Sequence, residues 1–332
     1  MDQLIVEGRL VQRPMRCGVP DAKRKVAIGV VVRNCEDYLR DAIESVAEQD
    51  YPHSLMEIVF VDDGSEDDTF SIVRDSVSTI DILAKVFHTS WKGLGNARNM
   101  VLANANADFV LWVDGDMVLS KNFVSKLVNF MNRNPEVAIA KGKQALEPGG
   151  NALATLEAFA RAGSRMVNYK SEKARCKSLG TGGAIYRMKT VKELGGFDNR
   201  LRGYGEDQDV EIRVRDAGWS ITTVDASFLD YERHELSWKG LWRRYWLRGY
   251  YTHYFDHKNK GVIKHYYMLP PVAFFSGLLQ SFKLYLLTFQ KVVFLLPFQY
   301  AFKMTAWYLG FARGHVSSYE PVDESRSAHK LR

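Results

Sequence analysis

Phe109-Val110-Leu111-Trp112-Val113-Asp114-Gly115-Asp116 is the stretch whose reading decides the fold: an apolar run that ends abruptly in two carboxylates separated by a glycine. A short continuous apolar run bounded by turn residues predicts a strand buried on both faces, as in a parallel sheet. Alternate residues of an extended segment project to the same side, so Asp114 and Asp116 converge at its carboxyl end. Hard oxygen ligands suit Mg²⁺ or Mn²⁺, which bind through one or two carboxylates and the phosphates of a substrate. Asp-Gly-Asp is also a good turn, so the flanking sequence has to choose between the two readings.

Upstream, residues 26–32 (VAIGVVV), 57–61 (EIVFV) and 82–87 predict three more strands. Arg33-Asn34-Cys35-Glu36-Asp37 follows the first and precedes an amphipathic helix with Leu39, Ala42, Ile43, Val46 and Ala47 facing inward. Asp62-Asp63-Gly64-Ser65 opens a second helix, and Gly93-Leu94-Gly95-Asn96-Ala97-Arg98-Asn99 opens a third that runs through Ala105. Strand and helix alternating with short connections predict an α/β fold with a doubly wound, mostly parallel sheet. Such sheets bind ligands at the carboxyl ends of their strands, where Glu36, Asp62, Asp63, Arg98, Asp114 and Asp116 all fall. On its own, Asp62 to Ser65 reads as a tight turn with helix-capping residues. Gly93-x-Gly95 lacks a third glycine and follows the third strand, so it is not a dinucleotide fingerprint. Arg98 reads either as a solvated helix residue or as a phosphate ligand at a helix amino end.

The 332 residues leave room for one large or two ordinary domains. A net charge of +6 and a pI near 9.0 suit an anionic small molecule or membrane surface as well as nucleic acid. Cys17, Cys35 and Cys176 are odd in number and scattered, which excludes a disulfide framework or thiolate metal site and predicts a reducing compartment. Residues 1–25, with Pro14, Gly18, Pro20 and Lys23-Arg24-Lys25, read as an arm, partly disordered or laid over the first domain. They carry no apolar secretory segment, so the catalytic part is expected to stay in the cytoplasm.

Val-Val-Arg-Asn (31–34), Asp-Asp-Gly-Ser (62–65), Asn-Ala-Arg-Asn (96–99) and Asp-Gly-Asp (114–116) occur in order and with suitable spacing. Gly180-Thr181-Gly182-Gly183-Ala184 and Gly205-Glu206-Asp207-Gln208-Asp209-Val210-Glu211-Ile212-Arg213 continue the series. In these motifs the chain resembles the family-two glycosyltransferases of the GT-A fold. The resemblance implies a catalytic domain over residues 26–236. It places Arg33, Glu36, Asp62 and Asp63 at the nucleotide base and ribose of a donor, with Arg98 near the base or diphosphate. Asp114 and Asp116 would hold ribose and metal, Asp116 the more directly. His234, in Tyr231-Glu232-Arg233-His234-Glu235, would complete the metal shell or contact the diphosphate.

Gly182 and Gly183, with their neighbours, can bring backbone N–H groups close to a sugar or diphosphate, or form a hinge. Inverting transfer needs a carboxylate to take a proton from the attacking hydroxyl while positive charge neutralises the departing diphosphate. The resemblance implies Asp207 for that base. Glu206 and Asp209 then position acceptor or sugar, Asp209 being paired with Arg213 or Arg215. An acceptor that is itself a phosphate needs no base, and Asp207 would orient it. The structural alternative for these acids is a helix amino terminus. Polymerases of the family carry Gln-x-x-Arg-Trp, whereas Trp242-Arg243-Arg244-Tyr245-Trp246 lacks the glutamine, so processive synthesis is not expected.

Residues 237–332 change in character. Trp238, Trp242, Tyr245 and Trp246 recur at helical spacing beside Arg243, Arg244 and Arg248, a mixture suited to lipid headgroups. A nucleic-acid groove would use the same residue types, but the long apolar segments further along the chain favour lipid. Segments 268–287 and 292–312 are long enough to cross a bilayer. Ser276, Gln280 and Lys283 nevertheless align on one face of the first, and Gln299 and Lys303 on one face of the second. Such stripes suit helices lying in the interface or packed as a hairpin against the enzyme; in-plane helices on an anionic membrane surface fit better than spanning ones, with Lys264, Lys283, Lys291, Lys303 and Arg313 adding attraction. An interface between copies of the chain, giving a homo-oligomer, is the alternative use of this region.

The whole sequence reads as an inverting transferase on the cytoplasmic side of the cell membrane. Its donor is a nucleotide-sugar, a UDP-sugar, its cofactor Mg²⁺ or Mn²⁺, and its acceptor a glycan or lipid-linked sugar. The rivals are transfer to polyprenyl phosphate and a non-catalytic scaffold of the same fold in a membrane glycan-assembly complex. Sugar-nucleotide pyrophosphorylases share the architecture but need a Gly-rich basic loop after the first strand, which Arg33-Asn34-Cys35-Glu36 is not.

Overall fold

The structure is a computed structural model that describes residues 3–6, 9–12, 24–164, 178–230 and 236–317. The chain divides into two compact units. One holds the described residues within 1–145, 165–198 and 207–232, the other those within 146–164, 199–206 and 233–332.

The first unit begins with an antiparallel ribbon, β1 (Gln3–Val6) against β2 (Arg9–Gln12), inside the segment that reads from sequence as an arm. The expected alternation comes next: β3 (Val26–Val32), α1 (Leu39–Ala47), β4 (Met56–Asp63), α2 (Thr69–Val77), β5 (Leu83–Thr89), α3 (Leu94–Asn104) and β6 (Phe109–Asp114). After it stand β7 (Met117–Leu119), α4 (Phe123–Arg133) and β8 (Val137–Gln144). The chain passes through α5 (Ala152–Ser164), which belongs to the second unit, and then forms β9 (Ala184–Arg187), α6 (Met188–Glu193), α7 (Glu206–Asp216) and β10 (Ser220–Asp230).

Eight strands make one sheet in the order β5-β4-β3-β6-β9-β8-β10-β7. Strands β3 to β6 are mutually parallel, β8 and β10 are parallel, and β9 and β7 run antiparallel to their neighbours. The period-2 alternation of β3 explains the two covered faces. Val26, Ile28, Val30 and Val32 enter one core with Leu39 and Ile43 of α1. Ala27 enters the other, with Val101 of α3 and Val210 and Val214 of α7. From β3 the chain winds outward through β4 and β5, then returns to place β6 on the opposite side, with Asp114 level with Val31. The order of strands reverses there, and a crevice opens at such a switch point.

In the second unit, α8 (Trp238–Lys258), α9 (Pro270–Thr288) and α10 (Leu296–Val316) assemble with α5. Helices α8 and α10 run parallel and touch backbone to backbone. A Cβ on Gly249 would collide with the Trp307 carbonyl oxygen, and one on Gly310 with that of Trp246. Among the described residues, no helix is long and apolar enough to cross a membrane.

The expected polar stripes are partly overturned. Gln299 and Lys303 do not face outward; both are buried. Lys303 Nζ lies 2.8 Å from Glu157 Oε2 on α5, and the Tyr245 hydroxyl donates to Glu157 Oε1 at 3.1 Å. Burial pushes the Glu157 carboxyl up, but Lys303, then Arg161, outweigh it and bring its pKa down to about 2. Burial likewise works against the Lys303 ammonium, and Glu157 reverses it to leave the pKa raised. Trp238 and Trp242 pack their rings on Phe302 at 5.0 and 5.1 Å between centroids, and Trp238 stays 52% exposed. The outward face of α9 is instead apolar, with Phe275 65%, Leu279 68%, Phe282 55% and Leu286 71% exposed. Ser276 and Lys283 are exposed beside them, while Gln280 donates to the Ala160 carbonyl at 3.3 Å.

Removing one partner of a buried ion pair leaves an uncompensated charge. Lys303→Met is therefore expected to destabilise the protein by about 3–5 kcal/mol in urea unfolding, and adding Glu157→Gln should recover most of that loss.

Candidate functional site

The loops after β3 and β4 are clasped together at the crest of the sheet. Asn34, held at φ 50°, donates its N–H to Ser65 Oγ at 3.0 Å and accepts at Oδ1 from the Glu66 N–H at 2.9 Å. Glu36 accepts from the Asp68 N–H at 2.8 Å, just ahead of α2. The Cys35 N–H donates to Thr69 Oγ1 at 2.8 Å, and burial pushes the Cys35 thiol up to about 12, so it is an inert packing group.

Asp62 and Asp63 are both buried at the end of β4 and do different things. Asp62 accepts at Oδ1 from the Ser65 N–H (2.9 Å) and hydroxyl (2.6 Å), and its Oδ2 is 2.9 Å from His88 Nδ1. Asp63 accepts from the N–H groups of Lys92 and Gly93, both at 2.8 Å, and so sets the entry into α3. Arg33 lies over the Trp91 ring at 5.4 Å. Arg98 is not a solvated helix residue. It is 6% exposed, with its guanidinium 5.9 Å from the Trp112 ring and 5.7 Å from that of Phe197.

Asp114 ends β6, Gly115 and Asp116 form the turn into β7, and both carboxylates are partly exposed. Asp116 is near enough to Cys35 for its charge to add to the rise of that thiol. Gly182 lies directly against Asp114: a Cβ there would collide with Asp114 Oδ2. The absence of a side chain at 182 is what leaves that carboxylate its space.

The loop carrying Gly182 is pinned at both ends, which disposes of the hinge reading. The Gly183 N–H donates to the Trp112 carbonyl at 2.8 Å, and the Gly183 carbonyl accepts from the Gly142 N–H at 3.0 Å. At the other end, Glu211 of α7 accepts from the N–H groups of Leu179 and Gly180 and from Ser178 Oγ, at 2.9 to 3.0 Å. Lys141 of β8 reaches under the same turn and donates to the carbonyls of Leu179 (2.6 Å) and Gly180 (3.3 Å). Glu211 is fully buried; burial, then the charge of Asp207, raise its pKa to about 7.

Asp207 stands at the amino end of α7, partly exposed, with Oδ1 accepting from the Gln208 N–H at 2.7 Å. A Cβ on Gly180 would stand 3.4 Å from both Asp207 Oδ2 and Lys141 Nζ. Asp114 and Asp207 therefore flank one short loop, at Gly182 and Gly180 respectively. Asp209 is fully buried and takes the first of its two expected partners, Arg213, whose Nη2 and Nε lie 2.9 and 3.0 Å from Oδ2. Arg213 also donates to the carbonyls of Leu194 and Gly196, so the pair ties α7 to the segment after α6. Glu206 is buried at the start of the same helix. His234 lies outside the described residues.

Sequence reasoning passed over Lys141 and Glu211. The signal for the first was a lysine inside the apolar strand Val137-Ala138-Ile139-Ala140-Lys141. For the second it was a carboxylate one helical turn beyond Asp207, on the same face.

Carboxylates at the strand ends, a glycine that leaves one of them room and a second partly exposed acid across a pinned loop thus stand together at the crest of the sheet, and hard oxygen donors are the ligand type that Mg²⁺ and Mn²⁺ take. Comparison with known proteins identifies the family. The sequence profile of glycosyl transferase family 2 matches residues 27–195. A Bacillus subtilis protein named "Probable glycosyltransferase YdaM" is 26% identical over 277 residues, covering 77% of this chain and 64% of that protein. The Staphylococcus aureus poly(ribitol-phosphate) beta-N-acetylglucosaminyltransferase TarS is 32% identical over 110 residues, 33% of this chain but 19% of TarS. The chain thus spans less than two thirds of the length of either relative. A structure of TarS residues 1–349 with UDP-GlcNAc superposes with a TM-score of 0.50 at 17% identity, covering 90% of this chain and 94% of that one. The mannosyltransferase PcManGT from Pyrobaculum calidifontis, solved with GDP-Man and Mn²⁺, gives 0.59 at 16% identity, covering 95% and 82%. At these identities the structural likeness speaks to the fold, and the profile speaks to descent. The chain belongs to glycosyl transferase family 2, and its sheet is that of the GT-A fold.

Proposed function

We propose that the protein is an inverting, metal-dependent glycosyltransferase that moves a sugar from a nucleotide-sugar donor, a UDP-sugar, to a glycan or lipid-linked acceptor at the cytoplasmic face of a membrane. One observation carries this reading: Asp114 and Asp207 stand against Gly182 and Gly180 of a single pinned loop. On this reading one acid serves the donor and the other the acceptor. The UDP-GlcNAc in the TarS structure supports a uridine donor, and the GDP-Man in the mannosyltransferase makes guanosine the competitor to test against.

Asp114 and Asp116, with His234, would hold Mg²⁺ or Mn²⁺, which when bound supplies positive charge opposite the departing diphosphate. The carboxylate donor set and the space left by Gly182 fit such an ion. Arg33, Glu36 and Asp62 face the nucleotide from the loops after β3 and β4, while Asp63 shapes the turn ahead of α3. Arg98, buried against Trp112, contributes positive charge from beneath the strand end. Asp207 takes the proton of the attacking hydroxyl. Gly182 and Gly183 let the sugar approach the loop backbone, and Glu206 and Asp209 hold the start of α7 in register.

Membrane association rests on the second unit. A row of Phe275, Leu279, Phe282 and Leu286 facing outward, with Lys283 and Lys291 exposed beside it, suits insertion among lipid chains under anionic headgroups.

Three outcomes test these roles. Asp116→Ala should lose Mn²⁺-dependent binding of UDP-sugar, measured by calorimetry, whereas Asp207→Asn should keep that binding and lose about 100-fold or more in turnover; two variants as active as the parent would sink the assignment. Glu211 has its pKa raised from 4.5 to about 7 in the folded chain, so it holds more protons folded than unfolded across that window. Its contribution to stability is therefore most favourable at low pH and falls as pH rises through about 7, and Glu211→Gln should flatten the melting-temperature profile between about pH 5 and pH 7. Finally, the full chain should float with anionic vesicles, and Leu279→Ser with Phe282→Ser should sharply reduce flotation; unchanged partitioning would exclude α9 as the anchor.

A further inference from the structure

His253 and His257 are one turn apart on α8 and share a face, and His315 in the last turn of α10 comes beside them. Ring centroids lie 4.4 Å apart for His253 and His257, 5.1 Å for His253 and His315, and 6.4 Å for His257 and His315. One ligand atom from each residue falls within 4.8 Å of the others. The glycines of α10 cause this meeting. Gly310 packs on Trp246 and Gly314 on Tyr250, a parallel register that carries His315 alongside His253.

The geometry points to a transition-metal site, formed by His253, His257 and His315, that takes a borderline dication such as Zn²⁺ and clips the carboxyl ends of α8 and α10 together. Imidazole nitrogens suit Zn²⁺, Co²⁺, Ni²⁺ and Cu²⁺, whereas the carboxylates of Asp114 and Asp116 suit Mg²⁺ and Mn²⁺, so the two sites draw on different ions. Three nitrogens at about 2.0–2.1 Å from a tetrahedral ion stand roughly 3.4 Å from one another, which rotation of the exposed His257 and His315 side chains can reach. The fourth position falls to water.

Three features of the surroundings favour an ion here. His253 Nδ1 is buried with no hydrogen-bond partner among the described residues, a state that costs free energy unless a ligand relieves it. Helices α8 and α10 end here in parallel, so both present the negative end of their dipoles. Asp256, whose Oδ2 lies 3.0 Å from His265 Nε2, adds an acid within electrostatic reach of His253.

The test uses the full chain without an affinity tag, stripped with chelator and titrated with Co²⁺ while visible absorption is followed, then challenged with Zn²⁺. A saturable spectrum of one equivalent is expected, with an affinity tighter than about 10 μM, erased by Zn²⁺. His257→Gln and His315→Gln should each weaken it by more than the roughly 10–100-fold typical of losing an outer-shell partner. Asp116→Asn should leave it unchanged, which separates this site from the donor site, and Zn²⁺ should raise the melting temperature of the parent but not of the double histidine variant. Far-ultraviolet circular dichroism checks that both variants remain helical. A parent with no saturable Co²⁺ spectrum, or a folded double variant that binds as the parent does, overturns the proposal.

Discussion

The candidate site depends on the close approach of the loop at residues 178–183 to the carboxyl end of β6. Gly182 allows that approach because no side chain stands between it and Asp114. Contact alone would not fix the loop. Glu211 binds its amides from α7, and Lys141 binds its carbonyls from β8, so a carboxyl and an ammonium grip the two polarities of one backbone turn. Both grips are buried, where hydrogen bonds to charged groups are stronger than in water and a lost partner costs most. Asp114 and Asp207 inherit their spacing from this arrangement.

The other side of the site is built by reciprocal hydrogen bonding between two loops that are remote in sequence. Asn34, Cys35 and Glu36 after β3 exchange bonds with Ser65, Glu66, Asp68 and Thr69 after β4. Adjacent parallel strands bring these loops together, and the short polar side chains stitch them into one surface. Several acids that look like ligands in the sequence are therefore engaged with the protein itself. Asp63 and Asp209 are the clearest cases, since the one shapes the entry to α3 and the other anchors α7.

The second unit buries a few polar groups beside its apolar core and leaves a row of large apolar side chains outside. Glu157, Lys303 and Gln299 lie inside, and Phe275, Leu279, Phe282 and Leu286 lie outside. A buried ion pair contributes little net stability, but it disfavours other packings that would strand either charge, and Tyr245 and Tyr300 complete its surroundings. Backbone contact between α8 and α10 through Gly249 and Gly310 holds the helices without large side chains between them.

The fold was largely legible in the sequence because its signals are local. Runs such as Val26 to Val32 and Phe109 to Val113 can be covered only on both faces, and each ends in polar residues that mark the crest of a parallel sheet. Asp114 at the end of β6 followed from the same strand reading, whereas Asp116 lies in the turn into β7, where period-2 geometry no longer applies. The ribbon of β1 and β2 was not legible, since two four-residue strands carry too little pattern to stand out from an arm. Direction around a helix was the other limit. Spacing put Gln299 and Lys303 on one face of α10 correctly, but whether that face met solvent or a buried acid depended on Glu157, far away in the chain. Lys141, Glu211 and the three clustered histidines share that character. Sequence alone determined which residues lie at strand ends and which share a helix face, because those are properties of a single element. Only the tertiary structure decided which of them meet, because charges and imidazoles from distant segments become neighbours only once the sheet and helices have packed.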